Sequence, residues 1–291
     1  MAQEKLAWQS KLVLLAVLPF AAVHVLLACH DWAAESAAVV IWTVGISALL
    51  GLVTWKVRAA TPSAAFTGTM VTASLMFSTV AFPYQPWHTA LIPVLAVALL
   101  AFAATRVGRA KKERLGTAER RRGRSASQVA ANLGFAALVS SWPAQFWLID
   151  SPWLDRAAHA RVPLLALALA ALAEAAADTV SSEIGQVFGG QPRMITSFRA
   201  AEPGQDGAIT AAGTLAGVTA AAAVASCGAW ALGGDRNLVA VGCAGAVFGL
   251  FFDSWLGATL ETWGWLNNDS VNFLSTASAA AFALAMLAWM G

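Results

Sequence analysis

Runs of about twenty mostly apolar residues, each ended by a short polar or charged break, recur along this chain and leave it few choices of fold. The plainest leads through Leu164–Ala176, LLALALAALAEAA, into the charged and hydroxyl-rich ADTVSSEIGQVFGGQPRMITSFR of Ala177–Arg199. A helix rising about 1.5 Å per residue crosses a hydrocarbon layer about 30 Å thick in roughly 20 residues. Nine segments meet that length, at approximately 11–30, 36–55, 62–82, 87–105, 129–149, 162–180, 208–232, 237–257 and 271–290. The third is rich in Thr and Ser, and Pro143 predicts a kink in the fifth. The expected class is an all-α polytopic integral membrane protein of about nine transmembrane helices. Composition agrees. Charged residues are only 12% of the chain, against roughly 25% in soluble domains. Thirteen Trp against one Tyr suit a chain with indoles at the headgroup level.

Charge predicts the orientation. With nine spans, the N-terminus (Lys5, Lys11) and the segments 56–61, 106–128, 179–207 and 258–270 share one side. Basic residues concentrate there, and Arg106–Arg124 alone carries nine Lys or Arg. The positive-inside bias then puts the N-terminus in the cytoplasm and the C-terminus outside. The 258–270 segment, with Glu261 and Asp269, does not add to that bias. Cys29, Cys227 and Cys243 lie in apolar runs without CxxC spacing and read as small packing residues. Leu26–Cys29 imitates a lipoprotein processing site, but another span follows within a few residues, so an uncleaved first helix is expected.

Three polar constellations interrupt this pattern. Arg121, Arg124, Gln128 and Asn132 recur at three- and four-residue spacing and share a helical face. The surrounding charges suit topology and anionic lipid headgroups. Gln128 and Asn132 suit interhelical bonding or substrate contact equally. Glu174, Asp178, Ser181 and Gly185 form a second face at the end of the sixth span, with Glu183 close by in sequence. Carboxylates near bilayer depth are costly and mark sites or ion paths. Gly185, Gly189 and Gly190 are expected to offer backbone amides, and Arg193 and Arg199 guanidinium forks, to an anion. Hard carboxylates, amides and guanidiniums together are the parts of a magnesium-phosphate site. In the third, Asp253 stands in an apolar context, one turn from Gly257 and two from Glu261. Asn267, Asn268 and Asn272 follow; capping explains Asn267 and Asp269 best. The chain has no GxxxxGK[ST] loop and no kinase HRD or DFG motif. His24, His30, His88 and His159 are scattered and predicted near or on the outer side, which argues against a His metal site or a Ser-His-Asp hydrolase.

On TRVGRAKKE with GRSASQVAAN, ADTVSSEIG with PRMIT, GLFFDSWLGATLE with LNND, and ATPSAAFTGTMV, the chain resembles the transmembrane protein 19 family over roughly residues 55–291. It departs from the family's pattern at Ala64, at Arg124-Ser125 and in the glycine-poor Pro203–Gly207. The family's best understood class is the plant phytyl-phosphate kinase of tocopherol synthesis. The resemblance implies a family core at 56–291, preceded by N-terminal helices at 1–55. It implies a membrane kinase passing a phosphoryl group from a nucleoside triphosphate, CTP above others, to a prenyl monophosphate such as phytyl or geranylgeranyl phosphate. Under it, Asp178, Glu183 and Asp253 are the catalytic acids and hold one or two Mg2+ ions. Arg193, Arg199, Arg109, Lys111, Lys112 and Arg124 bind phosphate, and Gln128, Asn132, Ser182, Asn267 and Asn268 orient substrate or base. Gly213–Gly217 and Gly245–Gly249 are expected to pack around a lipid groove. The partners implied are nucleotide, prenyl phosphate and membrane lipid, without nucleic acid and with a homo-oligomer left open. The site faces the cytoplasm from a bacterial or other inner membrane. Two other classes remain: a transporter, disfavoured because the acids cluster at one face without an internal repeat, and a nucleotidyltransferase acting on a lipid phosphate.

Overall fold

The computed structural model describes residues 6–118, 123–144 and 162–290, and 78% of it is helix. In chain order the helices are α1 (Ala7–Glu35), α2 (Ala37–Lys56), α3 (Pro62–Ser78), α4 (Leu91–Arg106), the short α5 (Arg109–Leu115), α6 (Ala126–Ser140), α7 (Val162–Phe188), α8 (Ala211–Ala231), α9 (Arg236–Leu256) and α10 (Asn268–Met290). The only sheet among the described residues is a two-residue antiparallel hairpin of β1 (Arg193–Met194) and β2 (Ala208–Ile209).

Each of the nine expected segments falls on a helix, but the count of nine spans does not carry over. Among the described residues six helices are long and apolar enough to cross a membrane: α1, α2, α7, α8, α9 and α10. A seventh results if α4 and α5, bent by 66° at Val107-Gly108, act as one broken span. At 17 and 15 residues, α3 and α6 are shorter than a full crossing. Within the fifth expected segment the helix breaks at the extended Ser141, and Trp142–Ala144 are helical again with Pro143 in the new first turn. Its remainder at 145–149, with His159 and Arg121, lies outside the described residues. Helix α1 runs unbroken through Leu26–Cys29, and all three cysteines are free thiols.

Local chemistry sets the helix starts. Thr61 accepts from Ala64 N with Pro62 in the first turn of α3, Thr210 accepts from Gly213 N, and Asp235 accepts from Asn237 and Leu238 N. Ser125 and Gln128 form a reciprocal capping box at α6.

Helix α7 is the axis of the fold. It packs on α4, α6, α8, α9 and α10, and 83% of its apolar window lies inside the protein, against 22–39% for the other five long helices. A helix apolar on every side belongs in the interior, and the alanines of LLALALAALAEAA let five neighbours approach. Glycines on the neighbours tighten that approach. A Cβ on Gly217 of α8 would meet Ala177 O at 2.8 Å, and one on Gly249 of α9 would meet Glu174 Cγ at 2.6 Å. The glycine stripes expected around a lipid groove therefore bring α8 and α9 onto α7 instead. Helices α1, α2 and α3 pack together, and α1 and α3 also reach α6, so this group stands apart from the α8–α9 side of the axis.

Candidate active site

Two cavities flank α7 and α6, and they differ in kind. The first is a polar cleft of about 150 Å³ at the end of α7 and α9. Asp178, Ser181, Ser182, Gly185 and Gln186 of α7 form one wall, Asp253 and Ser254 of α9 a second, and Asn268 and Asn272 of α10 a third. The loop 203–210 closes over it. Asp178 and Asp253, 75 positions apart in sequence and on packed helices, line the same cleft. One turn deeper, Glu174 is fully buried where α9 meets α10: a Cβ on Gly249 would meet both Glu174 Cγ, at 2.6 Å, and Ser275 O, at 2.9 Å. Glu174 Oε1, Asp253 Oδ2 and Gln186 Oε1 are buried without a hydrogen-bond partner. Buried polar atoms are nearly always paired, so three orphans around one cleft call for a ligand or ordered water.

Beyond Asp253 the helix widens into a π turn over Gly257–Glu261. Continued as an α-helix, Glu261 would sit roughly 80° around the axis from Asp253. The wider turn keeps Glu261 on the cleft wall with Asp253 and Gly257, as the sequence spacing anticipates. Single π turns of this sort recur at functional sites. The loop reaches the π turn closely enough that a Cβ on Gly207 would meet Ala258 N at 2.4 Å, and Gly207 itself has φ +77°. Asp206 is open to solvent on one side, yet its surroundings desolvate it enough to push its carboxyl above the ordinary aspartate range. Asp178, Asp206, Asp253 and Glu261 thus line a cleft to which no Lys or Arg among the described residues contributes.

The second cavity is an apolar groove of about 380 Å³ between α2, α3, α4 and α6. Leu50, Val94, Val97 and Leu133 are among its walls, and Arg58, Arg106, Arg109 and Arg124 line it where the helix ends meet. Arg124 is held in place by its backbone: its N–H donates to Ala59 O at 3.0 Å and its carbonyl accepts from Thr61 N at 3.0 Å. Its guanidinium donates to Thr179 Oγ1 at 3.3 Å, beside Asp178 in the chain. Asn132 lines the groove and accepts from Asn272 Nδ2 at 2.9 Å, and Asn272 lines the cleft. The groove and the cleft therefore meet at Arg124 and at this amide pair.

Against this geometry the expected site residues divide. Asp178, Asp253, Ser182 and Asn268 line the cleft, and Arg109, Arg124 and Asn132 the groove. Glu183 lies elsewhere: five residues on from Asp178 is roughly 140° around a helix, and its carboxylate pairs with Lys112. Lys112, 1% exposed, also donates to Ala104 O and Thr105 O and so staples α4, α5 and α7; it does not reach either cavity. Lys111 donates to Val187 O. Arg193 bonds Phe198 O, and it and Arg199 are exposed on the hairpin outside the cleft. The hairpin carries the loop, with Ile195 N donating to Gly207 O. Gln128 is spent in the capping box, and Asn267 bonds Leu6 O, Ser10 Oγ and Gln9 Oε1 of α1. The Gly185 and Gly189 amides serve the helix and its packing, since Gly189 N donates to Gly185 O. The sequence reading assigned no site role to Arg58 and Arg106, which it took as topology signals, or to Asp206, which nothing in its neighbourhood marks.

A buried, alanine-rich axis carrying carboxylates, ringed by helices long enough to span a bilayer, defines a polytopic integral membrane protein with a polar site at one end of its helices. The chain belongs to the DUF92 family of integral membrane proteins, whose pattern it matches over residues 45–280. It is 44% identical over 108 residues to an uncharacterized membrane protein of Methanocaldococcus jannaschii, covering 37% of this chain and 45% of that one. It is 31% identical over 206 residues to an uncharacterized membrane protein of Synechocystis, covering 68% and 73%. It is 30% identical over 197 residues to the chloroplast protein VTE6 of Arabidopsis thaliana, covering 66% and 57%. The first match thus spans about half of that relative's length. No solved structure matches.

Proposed function

We propose that this protein is a membrane-embedded kinase that transfers the terminal phosphoryl group of a nucleoside triphosphate, CTP by preference, to a prenyl monophosphate, with the site at the cytoplasmic face. The observation that carries the reading is the meeting of Asp178 and Asp253 in a cleft lined by four carboxylates and no basic side chain among the described residues. Such a cleft repels a phosphate chain unless a cation comes with it. Two carboxylates plus substrate phosphates is the usual binding mode of Mg2+, which seldom takes an all-protein cage. Among the described residues no three His, Cys, Asp or Glu form such a cage. Asp178 and Asp253 would hold the ion, and the buried, unpartnered Asp253 Oδ2 is the observation that the donor set fits. When bound, it neutralises charge on the phosphates.

The remaining work belongs to the chain. Asn268, Ser182 and the backbone of 203–207 surround the phosphate chain, and the small cleft admits the triphosphate end while the base stays outside. A phosphate oxygen of the acceptor attacks the terminal phosphorus, that O–P bond forms, and the bond to the β-phosphate oxygen breaks. The nucleoside diphosphate leaves with the electron pair. The acceptor oxygen is already anionic, so no general base is required, and rate comes from positioning and charge neutralisation. The family resemblance to phytyl-phosphate kinases, and the 30% identity to VTE6, support the choice of acceptor.

The test is purified protein in detergent with γ-labelled CTP and geranylgeranyl phosphate. The expected result is labelled geranylgeranyl diphosphate and CDP. Release of pyrophosphate would identify a nucleotidyltransferase, and absence of any lipid product with CTP, ATP, GTP or UTP would overturn the reading.

A further inference from the structure

We propose that the α2–α3–α4–α6 groove is the acceptor site: it takes the single isoprenoid chain of a lipid monophosphate, and the arginines at its mouth hold the phosphate against the carboxylate cleft. The proposal rests on the kinase reading above and adds where, and by what, the lipid is bound.

Charge is the first argument. The acidic cleft offers a lipid phosphate no cationic side chain, while the groove brings Arg58 and Arg124 from linkers, Arg106 from the end of α4 and Arg109 from the start of α5 to one opening. Guanidinium forks match phosphate oxygens. Two of these side chains have weak partners: Arg106 lies over the half-buried Phe102 ring at 3.4 Å and donates to Val57 O at 3.4 Å, and Arg109 pairs with the exposed Glu113 one turn on. Both can turn to an anion at little cost, because exposed pairs contribute little. The second argument is shape. The walls behind the mouth are mostly Leu, Val, Ala and Gly, with Thr72 and Asn132 among them, and about 380 Å³ lies at the lower end of the volumes that bind drug-sized ligands. That accommodates one chain and excludes the two of a phospholipid. The third is connection. Arg124 touches Thr179 beside Asp178, and the Asn132–Asn272 pair joins the two walls. A phosphate held at this mouth lies next to the donor cleft, so transfer is direct between two bound substrates, without a phosphorylated enzyme.

Gly68 of α3 supplies the probe. It lines the groove, and a Cβ there meets only Val129 Cγ1 at 3.8 Å, so Gly68→Leu fills the cavity without a backbone clash. Tritiated geranylgeranyl phosphate is titrated onto the purified full chain in detergent, wild type and Gly68→Leu, with Ala98→Phe on the opposite wall as a second filling variant. Geranylgeraniol and dioleoyl phosphatidic acid serve as competitors. We expect at least a tenfold rise in Kd in either filling variant that keeps the wild-type melting temperature. We also expect much weaker competition by the alcohol and none by phosphatidic acid. Unchanged affinity in both variants, or equal competition by phosphatidic acid, overturns the proposal. The two readings separate cleanly. Groove-dependent binding with no diphosphate from any nucleotide sinks the kinase and keeps the groove. Diphosphate made at the wild-type rate by the filled variants sinks the groove and keeps the kinase.

Discussion

The acidic cleft and the arginine-edged groove sit at the same end of the bundle, yet they are built by opposite means. Three of the cleft's four carboxylates, Asp178, Asp253 and Glu261, stand on α7, α9 and the π turn that extends α9, set by the buried axis and by glycines that bring α9 against Glu174, while Asp206 comes from the covering loop. The groove's arginines come from helix ends and linkers, on backbone that a short bridge between Ala60 and Arg124 holds in register. The difference teaches that charge of one sign was concentrated where the scaffold is stiffest, and charge of the other where side chains can swing. An arrangement of this sort suits a fixed metal-phosphate centre facing a mobile lipid headgroup.

The comparison breaks most readily at the acids. Asp178→Asn and Asp253→Asn should each lower diphosphate formation by about 10²–10³-fold, the scale of losing one charge-stabilising group. Expression and geranylgeranyl phosphate binding should persist. A parallel loss of lipid binding would mean that the two cavities are one site. Next is the staple. Lys112→Met leaves Glu183 unpaired and should cost about 3–5 kcal/mol, the usual penalty for breaking a buried pair, read as a fall in denaturation midpoint in detergent. Glu183→Gln should also destabilise while leaving turnover of the folded fraction near wild type; a loss of turnover matching Asp178→Asn would restore Glu183 to the catalytic set. Gly249→Ala drives a methyl against Glu174 and should cost about 1–3 kcal/mol as overpacking, with activity falling more than lipid binding. The smallest effect is expected from Ser125→Ala, which removes one N-cap at about 1 kcal/mol and loosens the residue after Arg124. It should raise the KM for lipid while leaving that for nucleotide unchanged.

The sequence made legible whatever follows from local periodicity. Helix positions, the shared face of Glu174, Asp178 and Ser181, and the line from Asp253 to Glu261 were all read from three- and four-residue spacing. Misplacements came where proximity in sequence stood in for direction in space. Glu183 is near Asp178 along the chain but faces Lys112, and Arg193 and Arg199 follow the acids closely but ride the outside of a hairpin. The count of nine is not confirmed at α3 and α6, where an apolar run continues past the point at which Thr79 or Ser141 ends the described helix. The groove was invisible because its arginines already had a sufficient explanation as topology signals, and only tertiary packing shows that four of them converge.

One contact has a consequence for how the molecule is made. Gln9, in the first helix, bonds Trp265 O, Asn267 N and Ser270 Oγ, on the segment that leads into Asn268 of the cleft. The turn at Gln9 in α1 thus latches onto the segment just before and at the start of α10. The rim cannot close before residue 270 has been made, so a chain stopped short of it carries an unsealed pocket.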